Sequence, residues 1–271
     1  MFLCDYHTHT RLSFDGDPAA THDAMCRRAL EMGLSDIAFT DHCDVNAEAE
    51  GYPLYAAEEG FAAMQEVRAK YAGRLNVLCG IELGNAHHDP DRAKAVLAAY
   101  PYDFVIGSLH NLRGVPDFYY INFEKMPDTL IHRLFDRALD ETREMIECPG
   151  ITTLGHITYM HRYVTQSGRA FSFAPHLDKI RDIFSRLVER QIALELNVST
   201  LHKGLGITLP TAELLKLYVD CGGRLVTIGS DAHDVASLGR EIRRGYAALR
   251  AVGLSEVMTV SGGERVMRSI L

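Results

Sequence analysis

Two histidines one residue apart close the first apolar run of the chain, Phe2-Leu3-Cys4-Asp5-Tyr6-His7-Thr8-His9-Thr10. On an extended strand, residues i and i+2 project to the same side. His7 and His9 therefore aim both imidazoles at one point, which is what a divalent metal asks of nitrogen ligands. Asp15 follows six residues after His9, in the turn Ser13-Phe14-Asp15-Gly16. The same event recurs down the chain: further short apolar runs end in or carry His42, Glu82, His110, His156, Asp231 and His233. Eight or nine such residues exceed what one ion takes, since zinc usually accepts four ligands. They imply a cluster of two or three divalent ions, with a carboxylate such as Glu82 able to bridge. Zinc, iron and manganese all accept this donor set.

These residues need elements that bring them to one place. The pattern predicts strands over residues 2–7, 37–40, 77–83, 104–109, 152–155, 192–197 and 225–228, alternating with helices. The first helix is expected to open at Asp17-Pro18, with Asp as cap and Pro in the first turn. The others are expected over 56–71, 91–99, 129–147, 175–190, 211–221 and 237–249, with loops at 159–172 and 198–209 and a short tail. Alternation of helices with near-continuous apolar strands means a parallel sheet covered by helices. About seven units suit a closed or distorted barrel, whose active site sits at the C-terminal ends of the strands. That is where the metal-capable residues fall. An open doubly wound sheet is the alternative, and it usually announces itself with a glycine-rich first turn; here that turn is His-x-His. No linker or low-complexity segment interrupts residues 1–271, so one domain is expected.

Composition sets the outer bounds. The chain has 271 residues, 47% of them hydrophobic, which suffices for a large core. Its six cysteines are scattered without a Cys-x-x-Cys, the usage of reduced thiols in a cytoplasmic protein. No apolar run is long enough to span a membrane and no secretory signal is read at the N-terminus. A formal net charge of −8 disfavours a stable nucleic-acid partner. The oligomeric state is not legible.

Six segments carry a family resemblance: His7-Thr8-His9, Thr40-Asp41-His42, Gly80-Ile81-Glu82, Gly107-Ser108-Leu109-His110, Gly155-His156 and Gly229-Ser230-Asp231-Ala232-His233. In this order the chain resembles the polymerase and histidinol phosphatase (PHP) family of metal-dependent phosphoesterases. The resemblance implies a distorted (β/α)7 TIM-like barrel, an α/β fold with a metal cluster at the C-terminal rim. It implies one ion on His7, His9, Glu82 and Asp231, a second on Glu82, His110 and His156, and a third on Asp15, His42 and His233. Some members carry histidine where Asp15 stands. Glu195-Leu196-Asn197-Val198-Ser199, followed by His202-Lys203-Gly204, resembles the histidinol phosphate phosphatase branch, although that branch often shows arginine-lysine where this chain has His202-Lys203.

The implied activity is that of a histidinol-phosphatase of histidine biosynthesis: hydrolysis of a small phosphorylated substrate by in-line attack of a metal-bridging hydroxide. Glu82, Asp231 and His233 are the expected catalytic group. A relative acting on nucleotides or nucleic-acid ends would share the metal ligands and is the alternative; a non-catalytic metal-binding domain would usually lack some of them. Arg162, whose guanidinium can fork onto two phosphate oxygens, is the first candidate phosphate clamp. Lys203 and Arg169 are weaker candidates. His202 and His161 are candidates for the general acid. Asn197 either binds substrate or ties down a strand end. Asp41 is expected to orient a ligand from behind. His87 and His88 are expected at the surface, and His22, His132 and His176 as structural or solvated. Tyr119 and Tyr120 either wall the pocket or pack under a long loop.

Overall fold

A computed structural model describes residues 1–271. Seven parallel strands run in sequence order: β1 (Cys4–Asp5), β2 (Asp36–Phe39), β3 (Asn76–Gly84), β4 (Phe104–Ser108), β5 (Thr153–Leu154), β6 (Ala193–Asn197) and β7 (Val226–Gly229). The first and last strands meet, because Tyr6 N–H donates to Ile228 O at 2.9 Å and Asp231 N–H to His7 O at 2.8 Å. The sheet is thus a nearly closed seven-stranded barrel of the TIM-like kind, as the alternation predicts. Every residue of β2, β4, β6 and β7 is buried, as befits parallel strands covered on both faces.

Ten helices join and cover the strands: α1 (His22–Met32), α2 (Ala47–Glu50), α3 (Ala57–Tyr71), α4 (Pro90–Ala99), α5 (Asp128–Met145), α6 (Tyr159–Gln166), α7 (Leu177–Arg190), α8 (Ser199–His202), α9 (Ala212–Asp220) and α10 (Ile242–Ala251). Their apolar stripes and the strands form one core of 67 buried residues. No helix is long and apolar enough to cross a membrane.

Several elements differ from the sequence expectation, and helix α8 (Ser199–His202) opens the loop expected at 198–209. Helix α1 starts at His22, because the Asp17 carboxylate closes a local turn on Ala19 N–H at 2.7 Å and the Thr21 hydroxyl caps the helix through Ala24 N–H. The expected loop at 159–172 begins with α6, whose inner face carries buried Met160, Tyr163 and Val164. The last helix begins five residues late, at Ile242, after Glu241 takes a left-handed φ of 64°. The tail is an antiparallel hairpin, β8 (Glu256–Ser261) and β9 (Glu264–Ser269). Its Gly262-Gly263 turn has φ of 60° and 81°, the signature of a tight hairpin turn. Val260 N–H donates to the buried Tyr6 hydroxyl, which itself donates to Asp36 at 2.8 Å, so the hairpin is tied to the N-terminal end of the barrel.

Strand β7 approaches β1 where only glycine fits. A Cβ on Gly229 would stand 2.2 Å from His7 Cβ and 2.6 Å from Glu195 Oε1. Gly229→Ala must therefore displace His7, and we predict a loss of about 1–3 kcal/mol, the usual cost of overpacking a core, with weakened metal binding. Thermal unfolding of the variant checks this; an unchanged midpoint contradicts the close packing.

Candidate metal centre

The strand ends deliver six imidazoles and three carboxylates to one rim. His7 and His9 leave β1, Glu82 sits within β3, and His42, His110, His156, Asp231 and His233 follow β2, β4, β5 and β7. Neighbouring rings pack at centroid distances of 4.0 Å (His9–His233), 4.3 Å (His9–His42) and 5.5 Å (His110–His156). His7, His9 and Glu82 are wholly buried, and His110, His156 and Asp231 nearly so. Asp15 stands at the outer edge, half-exposed.

Four of the six rings are oriented from behind. His7 Nδ1–H donates to Glu195 Oε1 at 2.6 Å. His9 Nδ1–H donates to the Ser13 hydroxyl at 3.0 Å, and that hydroxyl donates to Asp41 at 2.8 Å. His110 Nδ1–H donates to Asp44 Oδ2 at 2.9 Å. His233 Nδ1–H donates to Asp231 O at 3.0 Å. These partners fix the ring orientations and turn each Nε2 inward, where loss of its proton gives a lone pair to a metal. His42 is turned the other way: Nδ1 lies 2.8 Å from Glu82 Oε2, and Nε2 lies 3.5 Å from His233 Nε2.

The inward atoms converge. His7 Nε2 lies 3.4 Å from Glu82 Oε1, and His9 Nε2 lies 3.4 Å from Asp231 Oδ1 and 3.7 Å from Glu82 Oε2. His110 Nε2 and His156 Nε2 approach Glu82 Oε1 at 3.2 and 2.9 Å. Asp15 Oδ2 lies 3.1 Å from His233 Nε2, and Asp15 Oδ1 lies 3.6 Å from His42 Nε2. Two donors held by one ion at about 2.1 Å in a tetrahedron lie about 3.4 Å apart, so these spacings suit shared ions. His7 Nε2 and His9 Nε2 are buried without a hydrogen-bond partner, a costly state that a divalent cation would relieve. The donor set therefore fits divalent metal. At the rim, three trios have ligand atoms within 4.8 Å of one another: His7-His9-Glu82, His42-Glu82-His110 and His9-His42-His233. They put His9 nearer the outer group than the family pattern implies.

Charge is unevenly distributed. Burial opposes ionisation of Glu82, but His7, His110 and His42 outweigh it and hold the carboxyl well below the usual range. Burial works against the charge on His7, yet Glu195, Glu82 and Asp231 hold it well above the imidazole range; Asp44 and Glu82 do the same for His110. Against the same burial, His42 is raised to about 10, chiefly by Glu82 and Asp15. Burial, with His233 and His42 beside it, drives His9 well below.

A cavity of about 570 Å³ opens above the rim. Arg162, His202 and Lys203 line it, as do Tyr119 and Tyr120, which ride a 3-10 turn at Phe118–Tyr120. The tyrosines are 66% and 62% exposed, so they wall the cavity rather than pack under the loop. The Arg162 guanidinium lies 5.3 Å from the Tyr163 ring centre, and its Nε has no protein partner.

Other expectations fall away from the cavity. Asn197 is wholly buried behind the rim, its amide 3.4 Å from Asp231 Oδ2 and 3.5 Å from Glu195 Oε2; it ties down the end of β6 instead of facing substrate. His161 is buried on α6 itself against the Thr165 hydroxyl, away from the cavity, and burial lowers it to about 4. Arg169 is spent on the carbonyls of Phe123, Glu124 and Met126 and on Asp128. His87 and His88 are not surface residues: both donate to Glu141 Oε2, at 2.8 and 3.3 Å, and His87 is 5% exposed. Glu141 also accepts from Arg113 N–H and Arg137 Nε, so this trio is a filled anchor for the loops after β3 and β4.

Asp41, expected to orient a ligand from behind, does so through Ser13; sequence reasoning missed the other residues behind the ligands. Glu195 and Asp44 carry no spacing signal of their own. Asp44 fits because Gly84 leaves room: a Cβ there would meet its carboxyl at 2.0 Å.

Comparisons with known proteins agree with this geometry. The family model of the PHP domain matches residues 5–199. A histidinol-phosphatase of Lactococcus lactis is 23% identical over 97% of this chain and 96% of its own. A probable histidinol-phosphatase of Thermotoga maritima is 27% identical over 97% and 98%. Among solved structures, the Lactococcus lactis histidinol phosphate phosphatase in complex with zinc, L-histidinol and phosphate superposes with a TM-score of 0.81 at 23% identity, over 97% of this chain and 98% of that one. A putative histidinol phosphatase of Listeria monocytogenes gives 0.78 at 20% identity, over 90% and 98%.

Metal binding must displace protons here. His7, His42 and His110 are raised, so without metal they hold protons at neutral pH and release them as an ion binds. Apparent zinc affinity is predicted to rise about tenfold per pH unit for each proton displaced, between pH 6 and 8. Competition against a chromophoric chelator measures this; a pH-independent affinity contradicts the protonation scheme.

Proposed function

The chain belongs to the PHP domain family, and from that premise we propose that it is a metal-dependent phosphomonoesterase that hydrolyses L-histidinol phosphate to L-histidinol and phosphate. The observation that carries this reading is the ring of inward, unpartnered donor atoms around buried Glu82 at the floor of a cavity lined by Arg162 and Lys203. Relatives named as histidinol-phosphatases share the length of the chain. The zinc, L-histidinol and phosphate held by a protein of the same fold support both the cofactor and the ligand class.

In this proposal His7, His9, Glu82 and Asp231 hold one ion, Glu82 with His110 and His156 a second, and Asp15 with His42 and His233 a third. The ions are zinc in the first instance, with iron and manganese acceptable to the same donors. When bound, they supply Lewis acidity that acidifies water and offsets charge on the phosphoryl group.

The remaining work falls to the chain. Glu82 would be shared between ions, because both of its oxygens face imidazoles on different strands. Asp231 stays ionised: burial opposes this, but His7, His9 and His233 hold it well below the carboxylate range. It stands at the cavity wall beside His233, placed to orient the attacking water by accepting a hydrogen bond from it. Arg162 grips phosphoryl oxygens, with Lys203 as a second cation. Burial, then Lys203 and Arg240, lower His202 below the ordinary imidazole range; it is neutral at pH 7 and serves as a hydrogen-bonding partner rather than a proton source. The barrel holds these groups in place before substrate arrives, which is the larger part of such catalysis.

Glu82→Gln keeps the shape and removes the charge. It is predicted to lower kcat/KM for L-histidinol phosphate by at least about 1000-fold, the scale set by losing a group that acts in the transition state, and to lower the zinc content measured by mass spectrometry. A variant with ordinary activity and full metal content sinks the scheme. In parallel, wild-type turnover of L-histidinol phosphate, a 3′,5′-bisphosphonucleotide and a short oligonucleotide is compared; faster hydrolysis of the oligonucleotide overturns the substrate assignment.

A further inference from the structure

Chain ends aside, four large apolar or aromatic side chains stand out as exposed: Phe14 at 40%, Leu54 at 50%, Tyr119 at 66% and Tyr120 at 62%. All four lie on loops that leave the strand ends at the metal rim, and Phe14, Tyr119 and Tyr120 line the cavity. Exposed apolar area confined to one mouth marks a contact zone rather than incidental surface.

The mouth has two walls. On one, the Phe14 ring lies 4.2 Å from that of Tyr52 at an interplanar angle of 8°, and 4.9 Å from the His42 imidazole. Tyr52 is thus held above the metal centre by a column of rings. On the other, Tyr119 packs against Tyr120 at 5.0 Å and reaches Tyr163 at 6.1 Å. Their turn is fixed by buried Phe118 and by Asp117, whose Oδ1 accepts from Tyr119 N–H at 2.7 Å. Tyr52 and Tyr120 line the same cavity, one from each of these ring pairs.

We infer that Tyr52 and Tyr120 form an arch across the mouth that sets the size of the alcohol admitted, passing a small phosphomonoester and rejecting nucleotides and nucleic-acid ends. This rests on the phosphomonoesterase reading and deepens it. A cavity of about 570 Å³ lies within the range of small-molecule pockets. A polymer needs an open, cation-lined groove along which its backbone can run. This mouth is aromatic, and Asp117 and Asp234 line the cavity beneath it, so a second phosphate meets like charge. Selection is therefore made by the loops, away from the strand-borne ligands.

The test uses the zinc-loaded full chain, wild type and Tyr52→Ala/Tyr120→Ala. kcat/KM is measured for L-histidinol phosphate, thymidine 5′-phosphate and a 5′-phosphorylated tetranucleotide. The arch predicts that the nucleotide-to-histidinol phosphate ratio rises at least about tenfold in the variant, through KM, as expected when a steric barrier is removed. A ratio within about twofold of wild type, in a variant with normal metal content, overturns the arch. Should the double variant fail to fold, Tyr120→Ala, at a largely exposed ring, carries the same comparison with the same two outcomes. Wild-type protein inert toward every monoester overturns the underlying reading; active wild type with unchanged ratios overturns the arch alone.

Discussion

The structure turns on one interaction repeated around a ring: an imidazole Nδ1–H held from behind, with Nε2 turned inward. Glu195 does this for His7, the Ser13–Asp41 pair for His9, and Asp44 for His110. Each bond fixes a rotamer, and together they turn the Nε2 atoms toward Glu82. Without cations this arrangement is expensive, since buried donors and acceptors there lack partners. The fold tolerates the cost because the barrel core behind it is large and apolar, and metal binding returns it as stability.

The layer behind the ligands is also where the strands are locked together. Glu195 Oε2 accepts from the backbone N–H of His156 at 2.7 Å while its other oxygen holds His7. Asp5, buried near the start of the chain, accepts from Ser230 and Gly239 N–H and so fixes the segment that carries Asp231 and His233. Burial raises the Asp5 carboxyl and these bonds lower it. Asp231 itself takes a left-handed φ of 54°, an uncommon conformation that the closure of β7 onto β1 holds in place.

The inner ring was legible in the sequence because strand geometry makes it so. A period of two places His7 and His9 on one side, and apolar runs ending in a polar residue mark strand ends. The outer layer was legible only at Asp41. Asp44 and Glu195 sit where many strand-adjacent carboxylates sit, and only the fold shows that they face imidazoles. His87 and His88 look like loop residues until helix α5 brings Glu141 to them across 53 and 54 residues. The terminal hairpin carried a signal, a Gly-Gly pair between β-prone runs, that the expected short tail passed over. The start of α1 turned on which of two nearby side chains took the cap, a local competition that composition does not resolve.

Strands supply the chemistry here and loops the selection, a division that lets the ligands stay rigid while the mouth varies. Anomalous diffraction from crystals of the zinc-loaded protein tests the centre of this account most directly. The account predicts at least two zinc peaks at the rim, each within about 2.3 Å of an inward imidazole nitrogen, with Glu82 in contact with two of them. Zinc confined to surface histidines, with Glu82 touching no peak, would contradict it.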